Sequence, residues 1–137
     1  MTPSGYEFSR SQNELIGDLA KKMNFVAILL IAIGVLGILS AIINLFTAIA
    51  APEKIAIVVN NLIQGLFSLL IGTWTRNAAQ AFKQIVTTAG TDIQNLMIAL
   101  GELRKLYTLQ YWLVIIALIF FLIALVFVVI MVIATSV

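Results

Sequence analysis

The chain has 137 residues, 62% hydrophobic and 10% charged, with a net charge of +2 and a mean hydropathy of +1.12. Soluble domains average about 45–50% apolar and about 25% charged residues, and a chain this short has little interior in which to hide the excess, so lipid is the solvent that fits. The absence of Cys and His excludes disulfides, thiolate metal sites and the commonest general base, and the dispersed basic residues leave no clustered face for nucleic acid.

Residues 1–23 read as a cytoplasmic N-terminal segment, loosely ordered over 1–10. Ser11-Gln12-Asn13-Glu14 matches a capping box. Leu15, Leu19 and Met23 then share one face, which predicts a short amphipathic helix over about 12–22 that packs against the arm of residues 76–108 or lies at the membrane interface.

The first transmembrane helix is expected over 24–51. Its start resembles a signal peptide, with Lys21-Lys22, an apolar run and Ala48-Ile49-Ala50. The run exceeds the roughly 7–15 apolar residues of such a peptide, so it reads as a span. Pro52 in the short 50–54 connection fits the first turn of the next helix. The second span is expected over 55–75 and the third over 109–135. Each satisfies the need for about 20 mostly apolar residues. Helices of a soluble bundle would keep a polar stripe, and the third segment has none beyond Tyr111 and Trp112 at its start.

Arg10, Lys21 and Lys22 precede the first span, Lys54 follows it, and Arg76, Lys83, Arg104 and Lys105 separate the second from the third. That asymmetry predicts a cytoplasmic N-terminus and a C-terminus outside. Trp74, Tyr107, Tyr111 and Trp112 sit where interfacial aromatics are favoured.

Small residues mark one face of each of the first two spans: Gly34, Gly37, Ala41, Asn44 and Ala48, then Asn61, Gly65, Ser68 and Gly72. Small residues let membrane helices approach closely, so these spans are expected to pair antiparallel. Asn44 then comes to the depth of Asn60 and Asn61, and hydrogen bonds between them are expected. The alternative is a pore in an oligomer lined by Asn44, Asn60, Asn61 and Gln64. The third span, nearly all Leu, Ile, Val and Phe, is expected to face lipid.

Residues 76–108 form a polar arm with an apolar seam: Ala79, Phe82, Val86, Ala89, Ile93, Leu96, Leu100, Leu103 and Tyr107 recur at spacings of three and four. Gly90 suits a left-handed helix end, and Thr91 with Gln94 resembles a capping box. A helical hairpin turning near Gly90 and a single helix lying on the membrane both fit. The equal arms, about 22 Å each at about 1.5 Å per residue, favour the hairpin. The predicted fold is therefore all-α: three transmembrane helices with a cytoplasmic helical hairpin extension between spans two and three.

Catalysis needs titratable groups gathered together. Glu7, Glu14, Asp18, Glu53, Asp92 and Glu102 are scattered, and only Glu14 and Asp18 share a face at close spacing. No phosphate-cradling Gly loop occurs, and no ionisable residue lies within a span, where proton relays usually place one. The reading is of a non-enzyme without cofactor or metal.

Thr88-Ala89-Gly90-Thr91-Asp92-Ile93, Asn95-Leu96-Met97, the run from Leu100-Gly101-Glu102-Leu103 to Arg104-Lys105-Leu106-Tyr107, and Gln110-Tyr111-Trp112 resemble a family of small bacterial membrane proteins of unknown function, cyanobacterial members included. The resemblance covers about a quarter of the chain. It implies a bacterial inner membrane, plasma or thylakoid, and carries no activity. The expected function is a homo-oligomeric scaffold or membrane-organising assembly, with a channel or an accessory subunit of a larger membrane complex as alternatives.

Overall fold

The computed structural model describes residues 6–136, so the first half of the segment expected to be loose lies outside the described residues. The regular structure among the described residues is all helical: α1 (Arg10–Ala48), a 3-10 turn (Pro52–Lys54), α2 (Ile55–Thr87) and α3 (Asp92–Ser136). All three α-helices are long and apolar enough to cross a membrane.

Helix α1 starts earlier than the Ser11 capping box predicts. Ser9 is its N-cap, with Gln12 closing the box: Gln12 N–H donates to Ser9 Oγ, and Ser9 N–H donates to Gln12 Oε1 at 2.8 Å. The sequence offers two overlapping boxes. Starting at Ser9 also lets Asn13 Nδ2 donate to Phe8 O at 3.3 Å. From there α1 runs unbroken through the expected boundary at 22–24. Its buried residues are Ala20, Ala27, Gly34, Ala41 and Ala48, a seven-residue repeat that holds one small stripe against its neighbour over the whole length.

The chain then reverses through the 3-10 turn, which Pro52 opens. Helix α2 packs antiparallel to α1, with Gly17 against Val86, Ala27 against Gly72 and Gly34 against Gly65. It ends at Thr87, whose successor Thr88 is extended, and Gly90 at φ 81° turns the chain. A side chain would strain that left-handed backbone, and Gly adopts it freely.

The chain divides into two compact units, Met1–Arg104 and Lys105–Val137. Within the first, a core cluster joins Ala20 of α1, Ala81, Phe82 and Ile85 of α2, and Ala99 of α3, with Phe8, Ile16, Met23, Leu96 and Leu103 packed on it. The N-terminal face of α1 is thus rotated from expectation. Ile16, Ala20 and Met23 point inward, while Leu15 and Leu19 are exposed. The second unit is the remainder of α3, in which the Tyr111 and Trp112 rings meet edge to face with centroids 5.7 Å apart.

Candidate functional site

In the α1–α2 contact the two backbones touch. A Cβ added to Gly34 would sit 2.7 Å from Leu69 Cγ and 2.8 Å from Gly65 O; one on Gly65 would sit 2.9 Å from Gly34 O. At Gly72 the clash would be with Ile31 Cγ1 at 2.8 Å, and at Gly37 with Gly65 Cα at 3.0 Å. Carbon contacts are optimal at about 3.5–4.0 Å, so a side chain at 34, 65 or 72 would force the helices to shift, and one at 37 would press on Gly65. Ser68 is half-buried in the same helix.

The four span amides divide into two sets. Asn44 Nδ2 donates within its own helix, to Ser40 O at 2.8 Å and Ser40 Oγ at 3.2 Å. Asn61 Nδ2 reaches across from α2 to the same Ser40 Oγ at 3.2 Å. The amide link expected between Asn44 and Asn61 is therefore replaced by a shared hydroxyl. Ser40 lies one turn before Asn44 and reaches the opposing helix first. Asn60 and Gln64 face outward, exposed, and their side chains make no hydrogen bond among the described residues. They stand four apart on one face of α2, away from α1.

The arm seam is also divided. Phe82 is buried, and Leu96 and Leu103 pack on the cluster, whereas Val86, Ile93 and Leu100 are exposed. The inward positions of α3 are Asp92, Asn95, Leu96, Ala99 and Leu103. The seam alone predicts contact between two helices, and packing of the N-terminal helix on the arm is one of the two placements expected for it. The N-terminal part of α1 supplies a third partner, and the alanines at 20, 81 and 99 let the helices close in on it.

Residues 6–9 clasp the turn between α2 and α3. Glu7 Oε1 accepts from Gly90 N–H at 2.9 Å, and Asp92 Oδ2 accepts from Phe8 N–H at 2.8 Å. Tyr6 and Phe8 stack edge to face, with centroids 5.3 Å apart. Thr91 does not act alone at the helix start: its hydroxyl contacts Thr88 Oγ1 at 3.1 Å and accepts from Asn95 Nδ2 at 3.1 Å.

A groove of about 450 Å³ lies between α1 and α2, lined by Gly17, Ala20, Lys21 and Asn24 on one side and Arg76, Ala79, Gln80, Lys83, Val86 and Thr87 on the other. Gly17, Ala20 and Ala79 leave the space; Lys21, Arg76 and Lys83 charge it. The sequence holds a signal for it, since 76, 80, 83 and 87 share one face of α2 and 17, 21 and 24 share one face of α1.

The acidic groups are dispersed. Glu14 pairs with Arg10 at 3.4 Å and Asp18 with Lys22 at 2.7 Å, both exposed. Among the described residues, no three His, Cys, Asp or Glu side chains gather where they could hold a metal. No family model, curated protein or solved structure matches this chain.

Proposed function

We propose that the chain crosses a bacterial inner membrane three times, N-terminus cytoplasmic and C-terminus outside, and self-associates into a scaffold that organises the membrane without chemistry of its own. In this reading the cluster around Phe82 and Ile85 stands in the cytoplasm, with the α2–α3 turn at its tip as a helical hairpin.

The observation that carries self-association is the outward pair Asn60 and Gln64. Gln64 lies about ten residues beyond Lys54, or about 15 Å at about 1.5 Å per residue, halfway through about 30 Å of hydrocarbon. An amide without partners there costs several kcal/mol. Residues 113–134 carry no hydroxyl, amide or charge, so the third span offers the pair no partner. An amide both donates and accepts, so a second copy at the same depth offers Asn60 and Gln64 their complement. The Gly faces are already occupied within the chain, which moves the contact between copies to this stripe.

Crosslinking in native membranes is expected to give a ladder of oligomers that N60L/Q64L collapses to the single chain. A wild-type chain that stays monomeric at every concentration overturns the proposal.

The same outward stripe favours a second reading, an oligomeric channel lined by Asn60 and Gln64, with Asn44 and Asn61 held away from the path by Ser40. Proteoliposome flux separates the two. Ion flux abolished by Q64L supports the channel, and oligomers that pass no ion support the scaffold. A stoichiometric foreign protein in the purified complex would instead make this chain an accessory subunit.

A further inference from the structure

We infer that the groove between α1 and α2 binds the phosphate headgroup of an anionic phospholipid. The inference rests on the membrane reading above but not on self-association.

Three observations converge. The lining residues include three cations, Lys21, Arg76 and Lys83, and no acid. The nearest acids in sequence, Glu14 and Asp18, line a neighbouring groove that shares Gly17, Lys21 and Val86, and they are engaged by Arg10 and Lys22. Lys21, Arg76 and Lys83 make no ion pair among the described residues.

The depth matches a headgroup. Asn24 immediately precedes the apolar run of α1 that begins at Phe25, and Arg76 follows Trp74 at the end of the apolar run of α2. Both ends of the helix pair therefore leave hydrocarbon at the level of the groove. The polar layer there is about 5–8 Å thick per leaflet. Lys21 and Arg76 fall within it, and Lys83, two turns further along α2, extends the positive field into water.

The chemistry matches a phosphate diester. Arg76 presents a planar fork of donors suited to phosphate oxygens. Lys21 adds a point charge from the opposite wall, and the amides of Asn24 and Gln80 add neutral donors. Ala20 and Ala79 are buried at the floor, and their small side chains leave room for the phosphate between the helices. Basic pockets between transmembrane helices on the cytoplasmic side are suited to anionic headgroups in this way. A zwitterionic headgroup brings its own cation into the same field and is disfavoured.

The test uses the full chain in neutral detergent, with native mass spectrometry to count retained lipid and thermal unfolding to read stabilisation. Phosphatidylglycerol is expected to be retained and to raise the unfolding temperature, and phosphatidylcholine to do neither. R76Q/K83Q is expected to weaken retention roughly 30-fold at low salt, from about one surface-charge contribution per cation removed, while K54Q, at the opposite end of α2, leaves it unchanged. Equal retention of the two lipids, or retention unchanged in R76Q/K83Q, overturns the proposal. Glycerol 3-phosphate and inorganic phosphate are run as separate arms. If either binds the wild type as tightly as the lipid does, the lipid is overturned as the source of the phosphate. A chain that stays folded and dispersed without detergent would instead overturn the membrane reading, and loss of the crosslinked ladder would bear on self-association alone.

Discussion

Over residues 27–48, α1 meets its neighbour through backbone: Gly34 against Gly65, Ala27 against Gly72, with no large side chain buried between them. Over residues 16–23 the same helix meets α2 and α3 through side chains, and Ile85 and Phe82 are enclosed by Ile16, Ala20, Met23, Leu96 and Ala99. Under the membrane reading proposed above, the difference follows the solvent. In hydrocarbon a buried Leu gains nothing over a lipid-facing one, so helices hold by close van der Waals approach and a few interhelical hydrogen bonds. In water the transfer of Phe and Ile side chains out of solvent supplies the stabilisation, about 1.5–3 kcal/mol each. One helix thus carries two packing rules, joined by a small-residue repeat common to both.

The largest effect is expected in the side-chain region. Ile85 is 1% exposed, so Ile85→Ala should destabilise the first unit by about 2–5 kcal/mol. Thermal unfolding of the full chain in detergent measures it. A loss no greater than for an exposed Ile would erase the contrast. In the backbone region the sign is reversed: adding atoms is what harms. Gly34→Ala forces its methyl onto Leu69 and Gly65 and is expected to cost about 1–3 kcal/mol, read in the same experiment. If Gly34→Ala is neutral, the backbones are not in contact. Asn61→Leu removes the bond to Ser40 across the helix pair and should cost about 0.6 to 2 kcal/mol, less than either. The smallest change is a gain. Gly101 is helical with open space around it, so Gly101→Ala should stabilise α3 by about 0.5–1 kcal/mol, seen as a small rise in the unfolding temperature.

The helices, the turn at Gly90 and the small faces around Gly34 and Gly65 are written locally, in hydropathy, backbone freedom and side-chain size. What the residues do not write locally is which third surface an apolar stripe will meet. The spacing of the seam from Ala79 to Tyr107 places its residues on one face but does not say which of them a packed N-terminal helix will cover, and the structure leaves Val86, Ile93 and Leu100 exposed because α1 contributes Ile16 and Ala20 to a three-way cluster. The unbroken course of α1 is legible in the repeat of small residues from Ala20 to Ala48, which crosses the boundary between polar and apolar sequence. The division of the amides turned on Ser40, a hydroxyl whose reach to Asn61 depends on the rotation of one helix against the other. The cationic groove draws on residues far apart in sequence, and only the antiparallel pairing of α1 and α2 brings Lys21 near Arg76.

The contacts that Glu7 and Phe8 make with Gly90 and Asp92 join positions separated by 83 and 84 residues. During synthesis Glu7 and Phe8 must wait without these partners until α1 and α2 have been made and Gly90 and Asp92 have emerged from the ribosome. Closing so distant a loop is slow compared with forming a helix. The clasp therefore forms late in the newborn chain, and a nascent polypeptide halted before Gly90 would still have residues 6–9 accessible to protease.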